Sequence, residues 1–464
     1  MTTSWTTQEI IAATGGLSSG EWVASSVSID TRTLEAGALF VALPGTKVDG
    51  HDYVKAALEK GASGVIVSRT VEGVDASRLV VVKDVELALT LLGVAGRNRC
   101  RAKVVGITGS VGKTGAKEMT AAALSAVGSV YATKGNLNNH LGVPLNLANL
   151  PSDIDYAVIE MGMNHAGEIS PLTRMARPDV SIITTVDAVH LEHFGSVEAI
   201  ADEKAAIFDG MGGKGVAVLN ADNAHFERLK QHAQAKGLDR ILSFGTGKNA
   251  LCRMNHYAID EMHSVIEATI AGTAMQYTIG TIGKHWALMS VAVLGVVDAL
   301  RADVAKAAAA LAHFSEPKGR GQIKKLSVKA GNLRLIDDAY NASPVSMKGA
   351  IEKLAEMRDA GAERYRTVVV LGDMLELGEQ AEDLHVGLVP TLVNNQMDLV
   401  FAAGRFMEKM YQALPEAMRG AYKPTSRELA PEVVRALKAN DLVLVKGSRG
   451  SRMDVVVDAI EGQR

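Results

Sequence analysis

Six consecutive residues, Gly109-Ser110-Val111-Gly112-Lys113-Thr114, carry the groups needed to hold a polyphosphate. Small glycines let backbone N–H groups converge on phosphate oxygens, and a following helix adds the partial positive charge of its N-terminus. The Lys113 ammonium can reach β- and γ-phosphates, and the Thr114 hydroxyl can hold Mg²⁺. The stretch departs from the general phosphate-loop pattern, since Ile107 stands five residues before Gly112 and the nearer glycines are Gly106 and Gly109. Its setting supports the chemistry all the same. Lys103 to Thr108 is a β-branched run that reads as a buried strand, and Ala116 to Leu124 is mostly helix formers. Outside that setting, Gly-Lys-Thr would be an ordinary surface turn.

A cation beside such a loop needs a carboxylate at a neighbouring strand end. Glu160, closing the apolar run Tyr156-Ala157-Val158-Ile159, is the candidate. The next apolar run, Val180 to Thr185, leads into Asp187-Ala188-Val189-His190-Leu191-Glu192-His193. Residues just past the carboxyl ends of parallel strands face the ligand crevice. His190 and His193 are therefore both placed to matter, although either taken alone reads as a satisfied structural histidine before a functional one. Lys204 lies on a helical stretch, Ser196 to Phe208, among apolar neighbours, where a lysine is ordinarily solvated. In the last third, strands at Leu333, Val368, Leu399 and Leu442 each end in a polar or glycine-rich turn: Asp337 to Pro344, Gly372 to Gly378, Gly404-Arg405 and Lys446 to Arg452. Four such ends make one continuous ligand-facing rim.

These groups need a frame to hold them. At 464 residues the chain is too long for one core. Alternating strand and helix patterns divide it into three α/β units, 1–98, 99–316 and 317–464. The middle unit reads as a parallel sheet with helices on both faces. An apolar share of 47% with 22% charged residues describes a globular protein. A net charge of −3 and only 4% aromatic residues argue against a nucleic-acid partner. Two cysteines, Cys100 and Cys252, make neither a disulfide framework nor a metal spacing, which favours a reducing cytoplasm. The N-terminus lacks the layout of a signal peptide. The longest apolar stretch, Trp286 to Val297, is too short for a membrane span and reads as a buried helix. In the first unit, Asp30 and Arg32 read equally as a surface ion pair.

Taken together, the stretches resemble the Mur ligases of peptidoglycan assembly, over nearly the whole chain and in that family's three-domain order. The most specific signs are Asp337-Asp338-Ala339-Tyr340-Asn341-Ala342-Ser343-Pro344, Leu371 to Gly378, and Lys134-Gly135-Asn136-Leu137-Asn138-Asn139 running to Gly142-Val143-Pro144-Leu145. The resemblance implies an α/β fold with a UDP-substrate domain, a central P-loop parallel-sheet ATPase domain and a C-terminal Rossmann-like ligase domain. It implies an ATP cradle from Gly109, Ser110, Val111, Gly112, Lys113 and Thr114. Mg²⁺ ligands would be Thr114, Glu160, His190 and Lys204, the lysine as a carbamate. Arg320 would reach the γ-phosphate, and Asp337 or Asp338 the nucleotide ribose. Asp30, Arg32, Phe40, Gly50 and His51 resemble the uridine-diphosphate region. Lys113, Lys204, His190 and Arg320 are the expected catalytic groups.

No Asp-Asn-Pro-Arg signature for a diamino acid is present, which favours the family's dipeptide-adding activity. The expected reaction joins D-alanyl-D-alanine to UDP-N-acetylmuramoyl-tripeptide through an acyl phosphate, with ATP and Mg²⁺, by a monomer that spans no membrane. Another three-domain ATP-dependent ligase, an earlier Mur ligase or a folylpolyglutamate synthase, is the first alternative. A nucleotide-gated binding module is the second. Four positions depart from the family pattern: Gly115 follows Lys113-Thr114 in place of Ser or Thr, Trp286 and Met289 stand where asparagines are usual, and Ser343 replaces the second asparagine of Asn-Ala-Asn-Pro.

Overall fold

The computed structural model describes residues 3–45, 48–189, 191–260, 263–360 and 365–463. Three mainly parallel sheets follow one another along the chain. The first has four strands, Val27–Ser28, Leu39–Val41, Gly64–Val67 and Leu79–Val81, all parallel. Its Gly64–Val67 strand is buried throughout, as apolar runs must be when both faces of a sheet are covered.

The second sheet has nine strands. Cys252–Asp260, Arg240–Gly245, Val216–Asn220, Val180–Ile183, Lys103–Thr108, Tyr156–Glu160 and Val130–Ala132 lie side by side in that order, all parallel. The strand feeding the phosphate loop thus lies between the one ending in Glu160 and the one leading to Asp187. At the far edge the expectation of a parallel sheet is corrected. His263–Ile270 and Thr273–Ile279 add on antiparallel. Between them Ala271 and Gly272 take φ of 47° and 93°, the conformation of a two-residue hairpin turn, which has no room for a parallel crossover. The apolar stretch read as a buried helix is one, Lys284–Ala299, packed into the core of this domain. Among the described residues no helix is long and apolar enough to cross a membrane.

The third sheet has six strands in the order Gln322–Val328, Gly331–Asp338, Asp441–Lys446, Arg366–Gly372, Leu399–Ala403 and Arg419–Lys423. The first pair is antiparallel and the rest are parallel. The four strands read from sequence are the central neighbours, so their polar ends do form one rim. Gln322–Val328 and Arg419–Lys423, the edges, were not singled out.

The first and second sheets are joined through closely packed helices. A Cβ on Gly93 would stand 2.7 Å from Pro144 Cα, and one on Gly96 would stand 2.2 Å from the Leu147 carbonyl oxygen. Asn149 bonds both the N–H and the C=O of Val27 at 2.9 Å, and Trp5 Nε1 donates to the Ala148 carbonyl at 2.9 Å.

Candidate active site

The phosphate loop has the geometry its glycines suggest. Gly109 and Gly112 take φ of 152° and 84°, and a Cβ on Gly109 would stand 1.9 Å from Thr184 Oγ1. Only glycine fits there. Thr184 Oγ1 donates to the Val111 carbonyl at 2.6 Å. Ser110 Oγ donates to the Asp187 carbonyl (3.0 Å) and accepts from the Asp187 N–H (2.9 Å), tying the loop to the neighbouring strand end. Lys113 Nζ donates to the Gly109 carbonyl at 2.7 Å. Enclosure lowers the Lys113 pKa, with Glu160 opposing the shift and Arg320 adding to it. The arginine of the third domain is thus within electrostatic reach of the loop lysine.

Glu160 is buried, and its Oε1 accepts from Thr114 Oγ1 (3.2 Å) and Asn138 Nδ2 (2.7 Å). Its Oε2 is buried with no hydrogen-bond partner, as is Asp187 Oδ2. An orphaned carboxylate oxygen beside a threonine hydroxyl and a phosphate loop is a fitting donor set for a hard cation such as Mg²⁺. The sequence alone assigns no role to Asn138 or Asp187. Asn138 orients the carboxylate, a task visible only once the Asn136–Asn139 loop is folded beside the Glu160 strand. His190 lies outside the described residues. His193 is exposed and stacks on His165, with ring centroids 4.5 Å apart.

Lys204 corrects the default reading of a solvated lysine. It is 1% exposed, on the Val197–Ala205 helix. Its Nζ lies 3.8 Å from Met163 Sδ. Burial, aided by the charge of Lys113 and opposed by Glu203, lowers its pKa well below the ordinary lysine value. Glu203, the preceding residue, accepts from the N–H groups of Gly167 (2.7 Å) and Ile169 (2.8 Å). It thereby anchors the loop that follows Glu160 and supplies Met163. The buried side of this short helix is set by tertiary packing, which a local apolar pattern does not reveal.

From the third domain, Arg320 stacks over the Tyr340 ring at 4.1 Å. Asp338 and Asp337, adjacent on a strand, point to opposite faces. Asp338 pairs with Lys446 at 2.7 Å, within the field of Lys353 and Arg320, while burial raises its pKa. Asp337 pairs with Lys324 at 2.9 Å, beside Glu461. Asp338 is therefore the acid that shares a face with Arg320. Further along the rim lies a pocket of about 570 Å³ lined by Asp373, Arg405, Thr425, Arg427 and Arg452 among others. Asp373 Oδ1 accepts from the N–H groups of Phe406 (3.1 Å) and Met407 (3.0 Å), which fixes the loop bearing Arg405.

In the first domain Arg32 and Asp30 form an exposed ion pair at 2.7 Å. Phe40 is in the core. His51 is buried beside Gly50, with Nδ1 2.7 Å from Asp49 Oδ1 and Nε2 accepting from the Ser68 N–H at 3.0 Å. Both ring nitrogens are engaged within the domain. The Phe40 side chain thus belongs to the core of the sheet, and the His51 ring ties the Gly50–Tyr53 turn to Ser68.

Three family models match this chain: "Mur ligase family, catalytic domain" over residues 24–92, "Mur ligase middle domain" over 107–297 and "Mur ligase, glutamate ligase domain" over 319–449. Among curated relatives, UDP-N-acetylmuramoyl-tripeptide–D-alanyl-D-alanine ligase of Rickettsia prowazekii is 34% identical, covering 98% of this chain and 99% of its own. The Escherichia coli ligase of the same name is 35% identical over 96% of each chain. Among solved structures, MurF of Acinetobacter baumannii superposes with a TM-score of 0.86 at 27% identity, covering 99% of both chains. MurF of Thermotoga maritima in complex with ADP gives a TM-score of 0.77 at 26% identity over 94% of this chain and 97% of that one. By its matched models and its full-length relatives, the chain belongs to the Mur ligase family.

Proposed function

We propose that this chain uses ATP to join D-alanyl-D-alanine to UDP-N-acetylmuramoyl-tripeptide. The observation that carries the reading is that groups of two domains meet at the phosphate loop: Lys113 lies in the fields of Glu160 and of Arg320 from the third domain, Lys204 in that of Lys113, and Asp338 in that of Arg320. A free carboxylate is a poor electrophile, so activation must precede amide formation. Transfer of the γ-phosphoryl group to the tripeptide carboxylate breaks the bond to ADP and forms an acyl phosphate. The free amine of the dipeptide attacks its carbonyl carbon, the bond from that carbon to the bridging oxygen breaks with its electron pair leaving on phosphate, and the amine proton is lost to the departing phosphate or to water.

The first step brings an anionic oxygen to an anionic phosphate, so charge neutralisation dominates it. Lys113 and Arg320 bring positive charge to it from two domains. Mg²⁺, when bound, would lower the same repulsion, held by Thr114, Glu160, His190 and Lys204. A lysine serves that purpose only as an anion. The burial that disfavours the ammonium favours the neutral amine at Lys204 Nζ, the form that adds to carbon dioxide to give a carbamate. Asp338 takes the nucleotide ribose. The arginine-lined pocket receives the dipeptide, its guanidinium groups suited to the terminal carboxylate. Residues 1–98, with Asp30, Arg32 and the Gly50-His51 turn, hold the uridine-diphosphate end. Residues 99–316 hold ATP, and 317–464 the incoming amine. The free, buried thiols of Cys100 and Cys252 suit a reducing cytoplasm.

The deciding measurement is phosphate release from ATP and Mg²⁺ with the tripeptide substrate and D-alanyl-D-alanine supplied alone and together. Release that needs both is expected. Release indifferent to both would replace the ligase with a nucleotide-gated module.

A further inference from the structure

A single buried carboxylate joins the middle and third domains. Glu316 Oε1 accepts from Thr281 Oγ1, just past the last strand of the middle sheet, and from Lys353 Nζ at 2.8 Å on the Pro344–Asp359 helix of the third domain. Lys353 Nζ also donates to the Gly321 carbonyl at 3.0 Å. Thr281, Glu316 and Lys353 are all buried. The bonds at Glu316 and Gly321 bracket Arg320. The backbone around that arginine is intrinsically loose, since Gly319 and Gly321 take φ of 74° and 90°. Its turn is closed by Arg320 N–H to the Pro317 carbonyl (3.0 Å) and Gly321 N–H to the Asp337 carbonyl (2.9 Å). The same helix meets the middle domain again where Tyr257 Oη donates to Glu356 at 3.1 Å.

We propose that Glu316 and Lys353 are a positioning pair for Arg320, holding its guanidinium where it faces the phosphate loop of the middle domain. A buried ion pair is a poor source of net stability, because desolvation offsets most of the attraction. What this pair supplies is location. It holds both ends of a glycine-flanked turn to one helix, and through Thr281 it holds that helix to the domain that binds ATP. The inference rests on the ligase reading and uses its assay.

The test is the double variant Glu316→Gln with Lys353→Met, which removes both charges together and strands neither. Expected are an unfolding midpoint and an affinity for a non-hydrolysable ATP analogue close to wild type, with kcat lower by about 100-fold, the scale set by an ångström of misplacement. In an Arg320→Ala background the same pair of changes should cost kcat less than about threefold, since the group being positioned is gone. Lys353→Arg, which keeps the charge and the bond to Glu316, should recover most of the rate. A folded double variant with wild-type kcat, or full additivity with Arg320→Ala, would overturn the proposal. If the double variant does not fold, Thr281→Val decides, because it keeps both charges and removes the cross-domain bond. A reduced kcat at unchanged analogue affinity supports the pair, and an unchanged kcat overturns it. Failure of the ligase reading is distinguishable, since the wild-type protein would then release phosphate without needing both substrates.

Discussion

Gly115 and Trp286 fit against each other. A Cβ on Gly115, in the first turn of the phosphate-loop helix, would stand 2.5 Å from Cη2 of the Trp286 indole. The ring is buried and also packs on Phe314, with centroids 5.4 Å apart. Two departures from the family pattern are therefore one. The indole fills the space where a serine or threonine side chain would stand, and Met289, which departs together with Trp286, lies against Gly112, 3.6 Å from where its Cβ would be.

This coupling predicts an inverted response to a helix-favouring change. Alanine is normally better than glycine inside a helix by about 0.5–1 kcal/mol. Here Gly115→Ala is expected to destabilise by about 1–3 kcal/mol, the usual scale of overpacking. In a Trp286→Ala background the penalty should disappear. Urea unfolding of the four proteins in the cycle checks this, and a stabilising Gly115→Ala in the wild-type background would refute it.

Lys113→Ala should reduce turnover by about 1,000-fold or more, the scale for removing a group that meets transition-state charge. The fold should persist, because the partners Lys113 gives up are two loop carbonyls. Circular dichroism and phosphate release measured on the same sample give the answer. A folded variant with near-normal turnover would remove the lysine from the chemistry.

Lys204→Ala should lose most activity and regain part of it when a small carboxylic acid is added. The acid would take the place of the carbamate in the space the side chain vacates. Dependence of the regained rate on acid concentration is the readout. Full activity without any acid would take Lys204 out of the site.

One acid-sensitive contribution to stability should lie in the first domain. Arg69 and then His51 hold the Asp49 carboxyl well below the usual carboxylate range. A folded-state pKa below the unfolded value of about 3.9 means that the unfolded chain binds more protons as pH falls. The stabilisation is therefore complete above about pH 5 and fades below about pH 4. Asp49→Asn should be less stable than wild type at pH 7, and the gap should narrow on acidification. A gap that stays constant from pH 7 to pH 3 would contradict the assignment.

The parts of this molecule legible in its sequence are those whose signal is local. A β-branched run, a glycine turn and a helix-forming stretch put Lys113 and Thr114 at the start of a helix that follows a strand, where they lie, and apolar strands ending in polar turns put Glu160 and the third-domain rim at strand ends. The rest depends on partners far away in sequence. Lys204 is buried by a loop forty residues earlier, around Met163, and nothing within its own helix announces that. The choice between Asp337 and Asp338 turns on Lys324 and Lys446, which the sheet brings to opposite faces. Glu316 gains its meaning from Thr281 and Lys353. The antiparallel edge of the middle sheet was legible in principle, since Ser264, Ile266, Ala268 and Ile270 are buried on alternate positions.

The order of strands in the third sheet has a consequence for how the protein is made. Asp441–Lys446, the last strand in sequence, lies in the middle, between Gly331–Asp338 and Arg366–Gly372. During synthesis the two halves of that sheet emerge with no hydrogen-bonded link until residue 446 has cleared the ribosome. The first and middle sheets, complete by residue 279, can fold on the growing chain, while the third must wait for almost all of it. A chain cut short before residue 441 would lose Lys446, the central strand and the join between both halves of the rim in one event. Shortened products should thus carry a folded ATP-binding half and no ligase activity at all.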